Sequence, residues 1–247
     1  MSNSTAPGYE DRAGGLKTFF AKTKRFSDEP AREHVMPVQL RWAAVLSVLL
    51  GCSTRVAVPD NPRDYWRTGN NVHVRGPWPA ISPSRNVDEV IDQLCPAIME
   101  LPRTRDRDYG QEYCGAIYSL GDGTYYASMP SPLSEPVPVG PSTRKTCIPP
   151  RYVADERGRP VVLADFHSHP WAPSPMTPAD RIAATQLWSI RIQFDRVCTV
   201  MKLVPYLDSS RPGEVYVRSK KQWRLVGIIR PEDKQRGLIT AADREYP

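Results

Sequence analysis

The chain has 247 residues, and its 33 Lys and Arg against 27 Asp and Glu give a formal net charge of +6. That length suits one domain with an appendage, and 40% hydrophobic residues exclude a chain that is disordered throughout. Proline occurs 26 times, about twice the average usage, which argues against a helical bundle and favours strands and extended loops. The basic residues are spread along the chain, so nothing beyond the net charge favours nucleic acid as a partner, and we expect none.

The N-terminal part contains the pattern of a secretion signal. Residues 36–52 read MPVQLRWAAVLSVLLGC, in which Arg41 precedes a nine-residue apolar run and a glycine. This run is too short to span a bilayer, which takes about 20 residues. Its end, LLGC, resembles the bacterial lipobox, in which the cysteine is lipidated and becomes the mature N-terminus. We therefore predict a lipoprotein signal peptide over residues 36–51 and lipidation of Cys52; the alternative is a buried amphipathic helix with an ordinary core cysteine.

This signal sets the expected start and location of the mature protein. Residues 1–35 contain five acidic residues, which are unexpected ahead of a signal sequence, so translation is expected to start at Met36. If Met1 is the true start, the segment is a disordered leader. The lipid on Cys52 would anchor the protein to a membrane of the cell envelope, at the periplasmic face of the outer membrane or at the inner membrane. A cytoplasmic location is the alternative if the signal is not used.

Four cysteines remain beyond the predicted lipidation site. An even number in an exported protein permits two disulfides, for which the sequence allows three pairings. No pair has the C-x-x-C spacing, which argues against a zinc site made of cysteines. The four are Cys95, Cys114, Cys147 and Cys198.

The first element after the signal is predicted to be helical. Residues 52–85 are rich in Pro, Asn and Arg and have no clear period, so we expect an irregular tether there. Residues 86–101 have apolar side chains at the spacing of a helix. Asn86 and Glu89 form a start that resembles a capping box, and Pro96 is expected to kink or interrupt the helix.

Strands account for most of the remaining pattern. They are predicted at residues 112–120, 124–129, 161–167, 197–204, 215–218 and 224–229. The first two flank Gly-Asp-Gly, a hairpin signal, and the third, VVLADFH, is a continuous apolar run typical of a buried strand. A second helix is predicted over residues 178–194. The mixture indicates an α+β domain over residues 86–230, with a C-terminal tail over 231–247.

Two histidines and an aspartate form a candidate metal site. His167 and His169 stand at i and i+2 at the end of a predicted strand, so both imidazoles point to one side and can reach one ion. Asp180 lies at the start of the second predicted helix, which the intervening loop can bring back over the strand end. Three such ligands leave the fourth position of a tetrahedral zinc open for a water whose pKa the metal lowers to about 7. Zn²⁺ is therefore the expected cofactor.

A zinc hydrolase also needs a group that moves protons. Glu112 is the candidate, because it opens the predicted strand EYCGAIY. The alternatives are a histidine pair without a metal, an aspartate that favours a helix N-terminus, and a glutamate that is merely polar.

Taken together, these residues resemble the JAMM (MPN-plus, JAB domain) zinc metalloprotease family. They share its order and spacing, namely Glu112-x-Cys114-Gly115, then His167-Ser168-His169, seven residues, Thr177, two residues and Asp180. The resemblance implies a JAMM/MPN-like (cytidine-deaminase-like) fold, a mixed curved sheet flanked by helices. It also implies zinc on the two histidines and the aspartate, and Glu112 as the acid/base. Thr177, where the family has serine, would help to stabilise the tetrahedral intermediate.

The function that the resemblance implies is hydrolysis of peptide or isopeptide bonds in a polypeptide at the cell envelope. Two alternatives stay open: a non-catalytic MPN-like scaffold module, and a zinc amidase that acts on peptidoglycan peptides. Barrels of the amidohydrolase or polymerase-histidinol-phosphatase type also carry D-x-H-S-H. They collect later ligands from many further strands, and no histidine follows His169 in this sequence.

Overall fold

A computed structural model describes residues 63–134, 146–207 and 210–242. These residues form an α+β structure that is mostly sheet and includes two α-helices, which confirms the predicted class. The predicted leader, the signal peptide and Cys52 lie outside the described residues. Within the described residues, no helix combines the length and apolar character required to span a membrane.

The described residues contain two α-helices and eleven strands. In chain order they are β1 (Tyr65–Thr68), β2 (Asn71–Arg75), α1 (Val87–Ile98), β3 (Cys114–Ser119), β4 (Tyr125–Ala127), β5 (Tyr152–Ala154), β6 (Val161–Ser168), α2 (Pro178–Arg181), β7 (Ile190–Phe194), β8 (Val200–Val204), β9 (Gly213–Ser219), β10 (Gln222–Ile229) and β11 (Thr240–Ala241).

The strands form two sheets. The larger has the order β11-β10-β9-β8-β7-β6-β3-β4, and the smaller has the order β1-β2-β5. In the larger sheet every neighbouring pair is antiparallel except β6 and β7, which run parallel. A parallel pair needs a crossover, and the segment between β6 and β7, which contains α2, supplies it.

The two faces of the central strands have different roles. Phe166 on β6 and Ile192 and Phe194 on β7 are fully buried in one hydrophobic cluster with the apolar face of α1. Side chains alternate along a strand, so the residues next to these, including His167 and Arg191, point to the opposite face. The larger hydrophobic cluster therefore lies on the α1 side of the sheet. His167 and Arg191 lie on the other side, where Met201 and Leu203 of β8 belong to a second, smaller cluster.

Helix α1 confirms the predicted helix, but the predicted capping box is wrong, because the Glu89 carboxylate accepts from the Ser84 hydroxyl at 2.5 Å. The helix begins at the cap Asn86, whose side chain accepts a hydrogen bond of 3.0 Å from the backbone N–H of Asp88. Pro96 lies inside the helix, which runs on to Ile98 without a break. The helix is therefore not interrupted at Pro96 itself, but it ends two residues beyond it and three residues before the predicted end at Leu101.

Other stretches differ from their predictions, among them the strands β5 and β11, which were not predicted. Residues 65–75, expected to be irregular, form the hairpin β1–β2 around Gly69, whose φ of +58° suits a tight turn. The helix predicted over 178–194 is wrong beyond its first turn, because α2 ends at Arg181 and residues 190–194 form β7. The segment IRIQF alternates apolar and polar residues, a strand period that the longer window obscured.

The four described cysteines form two disulfides. Cys95 on α1 pairs with Cys198 in the β7–β8 connection, and Cys114 on β3 pairs with Cys147. This is one of the three pairings that the sequence allowed.

Candidate metal centre

The three predicted ligands converge at the end of β6. Nε2 of His167 lies 3.5 Å from Oδ1 of Asp180, and Nε2 of His169 lies 3.8 Å from Oδ2 of the same carboxylate. One ligand atom from each residue lies within 4.8 Å of those of the other two. Ligand atoms of a tetrahedral zinc with bonds of about 2.0 Å stand roughly 3.3 Å apart, so a small inward movement would close this cluster around an ion.

Burial supports the fit of a cation. The side chains of His167 and His169 are 8% and 6% exposed, and that of Asp180 is 20% exposed. Nε2 of His167 is buried and has no hydrogen-bond partner among the described residues. A buried polar atom without a partner is costly, and a metal ion between the three residues would supply the partner. The donor set of two imidazoles and one carboxylate suits zinc.

The strand β6 directs His167 into this cluster. His167 pairs in register with Cys114 of β3 on one side and with Gln193 of β7 on the other. His169 follows the last residue of the strand, and its backbone N–H donates to the carbonyl of Phe194 at 2.8 Å. His167 is therefore held by strands on both sides of β6, and His169 is held by β7.

A capping box orients the carboxylate of Asp180. Thr177 precedes α2, and both its backbone N–H (2.8 Å) and its hydroxyl (2.6 Å) donate to Oδ2 of Asp180. In return the backbone N–H of Asp180 donates to the Thr177 hydroxyl at 3.3 Å. The remaining oxygen, Oδ1, is the one nearest His167.

The surroundings keep Asp180 ionised. Burial by itself raises its pKa, but the two nearby imidazoles and the hydrogen bond from the Thr177 hydroxyl outweigh burial and hold the pKa of Asp180 well below its ordinary value. The carboxylate therefore offers a negative charge to a cation.

The hydroxyl of Thr177, predicted to stabilise the tetrahedral intermediate, contacts Asp180 in the structure. A hydroxyl has one proton, and here that proton is donated to Asp180. The oxyanion role expected for Thr177 thus stays a prediction that requires this bond to be exchanged when substrate binds.

Glu112 lies beside the histidine-bearing strand. The next residue, Tyr113, donates its backbone N–H to the Ser168 hydroxyl and accepts from the backbone N–H of Ser168, both at 3.0 Å. Ser168 stands between the two histidines, so these bonds connect the Glu112 segment to the strand that carries the candidate ligands. Glu112 itself is buried, with 5% exposure. The structure therefore brings the predicted acid/base into the neighbourhood of the predicted ligands.

Ser174 is a site residue that the sequence analysis missed. Its hydroxyl shares a hydrogen bond of 2.8 Å with Nδ1 of His169, which leaves Nε2 of that ring facing Asp180. Ser174 is held in turn by Gln193, whose side-chain amide donates to its carbonyl at 2.7 Å. Partners of this kind fix the orientation of a ligating imidazole. Ser174 lies between two prolines in a loop, a setting that carries no sequence signal for such a role.

Comparison of the chain with models of known protein families, with curated proteins and with solved structures found no match. The family resemblance therefore rests on the motif residues alone.

Proposed function

We propose that this protein is a JAMM-type zinc hydrolase that cleaves peptide or isopeptide bonds. The observation that carries the proposal is the convergence of His167, His169 and Asp180 around a buried imidazole nitrogen that has no hydrogen-bond partner in the described part of the chain. Three residues at the family's spacing meet in space, at the end of one strand and the start of one helical turn.

The fold supports the same proposal at a coarser level. A mixed sheet carries α1 on one face and the ligand cluster on the other. We infer that this α+β arrangement is of the JAMM/MPN-like kind, with the site where β6 leaves the sheet.

The residues of the site have two roles, which are binding the metal ion and transferring protons. His167, His169 and Asp180 would hold zinc, which when bound supplies a Lewis acid that brings the pKa of a water to about 7. With Nε2 of His169 used for binding, its Nδ1–H donates to Ser174 and keeps the ring in place. Glu112 accepts the proton of the attacking water and passes it to the leaving amine, a step that general acid–base catalysis accelerates about 10²–10⁴-fold.

The disulfides support a location outside the cytoplasm. Two disulfides among four described cysteines are typical of an oxidising compartment. Together with the predicted signal and lipid on Cys52, they favour a lipid-anchored enzyme of the cell envelope. Its substrate is then a polypeptide of that compartment.

The test is a metal and activity measurement on the purified full chain. Wild-type protein is expected to contain about one zinc per chain and to cleave members of a peptide and isopeptide library, whereas Glu112→Gln keeps the zinc and loses the cleavage. Cleavage of muropeptides alone would instead identify an amidase of peptidoglycan peptides. Zinc without turnover on either set would identify a scaffold module.

A further inference from the structure

Arg191 connects the strand that carries the histidines to the helical turn that carries the third ligand. Its guanidinium donates to the Asp165 carboxylate from Nη2 at 2.8 Å and from Nε at 3.1 and 3.2 Å. Nη1 donates to the backbone carbonyl of Asp180 at 3.0 Å, and Nη2 also reaches the carbonyl of Thr185 at 3.1 Å. One buried cation therefore contacts both halves of the candidate metal centre.

The partner of this arginine shares a strand face with a ligand. Asp165 precedes His167 by two residues on β6, so both side chains point to the same face of the sheet. Arg191 stands directly opposite Asp165 in the parallel register of β6 and β7. The residue exposures of Asp165 and Arg191 are 1% and 5%, so water does not compete for their contact. The ion pair is thus held on the same face of the sheet as His167.

The Asp180 turn, in contrast, has little support of its own. Helix α2 contains four residues, far fewer than an isolated helix needs to be stable in water. The carbonyl of Asp180 accepts from only two described side chains, Arg191 at 3.0 Å and Gln186 at 2.8 Å. Its position relative to the histidines therefore depends on contacts made by the crossover, by β7 and by the C-terminal segment, where the carbonyls of Gly237 and Lys234 accept from Arg181 at 2.8 Å and from the backbone N–H of Ala183 at 2.9 Å.

We infer that Arg191, oriented by Asp165, is a positioning residue that sets the place of Asp180 relative to His167 and His169. The inference deepens the proposed function, because the site it organises is the proposed zinc centre. A guanidinium suits the task because its planar fork can bind a carboxylate through two N–H groups and still direct others elsewhere. A lysine at this position would keep the charge but not the geometry.

The experiment compares Arg191→Lys with a matched control, Arg218→Lys, in the full chain. Arg218 is another shielded arginine that binds two carboxylates, donating to Asp88 and Asp92 of α1 at 2.9 to 3.0 Å, and no described contact links it to the ligands. Both substitutions replace a guanidinium that binds a carboxylate through two N–H groups by an ammonium group. Both are therefore expected to lower the free energy of unfolding. Thermal unfolding shows whether each variant is folded. Asp165→Asn, which keeps the shape of its side chain and weakens the orientation of Arg191, serves as a second variant.

Two readouts separate positioning from stability. In zinc-free protein, hydrogen exchange of residues 178–186 is expected to accelerate in Arg191→Lys, including the amide of Ile182 that donates to Pro178. Zinc affinity, measured by competition with a chromophoric chelator, is expected to fall about 10–100-fold, as it does when partners of metal ligands are altered. Asp165→Asn should change both readouts in the same direction. Arg218→Lys should accelerate exchange in α1 and leave zinc affinity unchanged.

The outcomes are distinct. Protection of 178–186 and zinc affinity in Arg191→Lys equal to those in Arg218→Lys overturn the inference, while the proposed hydrolysis can still stand. Wild-type protein that binds zinc but cleaves nothing contradicts the hydrolysis and not the positioning role. The exchange measurement needs no metal, so it decides the role of Arg191 even if the wild-type chain binds no zinc.

Discussion

The hydroxyl of Thr177 donates a hydrogen bond of 2.6 Å to Oδ2 of Asp180, and the backbone N–H of Asp180 donates back to that hydroxyl. This reciprocal contact leaves Oδ1 of the carboxylate nearest to Nε2 of His167. The same two residues therefore begin the helical turn and aim the ligand. A helix cap and a candidate metal ligand are combined in four residues.

Replacing the threonine tests this double use. Thr177→Val keeps the shape and removes the hydroxyl, so we expect a loss of about 1 kcal/mol of stability, as for other N-caps, together with weaker zinc binding. Thr177→Ser keeps the hydroxyl and is the matched control, with affinity close to that of wild type. Thermal unfolding and chelator competition measure the two effects. Equal zinc affinity in the Val and Ser variants would show that the hydroxyl does not orient the carboxylate.

Removing the charge of the third ligand is expected to empty the site. Asp180→Asn replaces an anionic oxygen by a neutral amide, which binds zinc poorly, so the zinc content should fall from about one per chain to a small fraction. Asp106→Asn, at a half-exposed residue whose described ion pair with Arg103 is on the surface, is the control and should keep its zinc. Elemental analysis of protein purified without chelators gives the answer. Wild-type protein without metal would refute the zinc assignment.

Substitution of Glu112 separates metal binding from proton transfer. Glu112→Gln cannot accept a proton but keeps size and hydrogen bonding, so turnover should fall about 10²–10⁴-fold at unchanged zinc content. Steady-state kinetics on any substrate from the library, with metal analysis of the same sample, measures both. A double variant that combines Glu112→Gln with Gln111→Glu places a carboxylate at the neighbouring buried residue. It is not expected to recover the activity. Turnover equal to wild type in Glu112→Gln would remove this residue from the mechanism.

The two disulfides are expected to contribute unequally to stability. Cys95 and Cys198 are 103 residues apart and Cys114 and Cys147 are 33 apart, so the first closes the longer loop in the unfolded chain. The chain-entropy estimate gives about 4.7 and 3.7 kcal/mol respectively. Replacing each pair by alanines and measuring the free energy of unfolding in denaturant should therefore find the Cys95/Cys198 variant less stable by about 1 kcal/mol. The reverse order would show that packing, and not loop length, governs the difference.

Lipidation of Cys52 can be tested in a Gram-negative host. The full chain is expected to incorporate labelled palmitate and to migrate as a smaller species than its precursor, because the signal is removed ahead of the lipidated cysteine. Cys52→Ala should abolish both changes. Label retained in the alanine variant would exclude this cysteine as the lipid site.

The ligands were predictable from sequence because their geometry is local. Two histidines at i and i+2 at the end of a strand are expected on one side of it, and a Thr-Pro start before Asp180 marks a helical turn, so the spacing carries the information. The residues that orient them were not predictable. Ser174 is held by Gln193, which is 19 residues away, and Arg191 meets Asp165 at a separation of 26 residues. Such contacts exist only once β6 and β7 are paired.

Strands with a simple local signal were predicted correctly, but the point at which a helix ends and a strand follows was not. Strands β3, β4 and β6 follow simple apolar or turn signals, and the structure confirms them. Strand β7 was assigned to a helix because its five residues follow a good helix start without a glycine or proline between them. The competing signal, strict alternation over IRIQF, decides the structure because Ile190, Ile192 and Phe194 pack into the core cluster.

The alternation along β6 restricts how this strand can change. Phe166 packs in the core and His167 lies in the candidate metal centre, one residue apart on opposite faces. An insertion or deletion of a single residue within the strand would move the imidazole into the apolar interior and the phenyl ring into the ligand cluster. The strand can therefore accept exchanges of side chains but not changes of length. Insertions into this part of the chain would have to fall in the connections on either side of it.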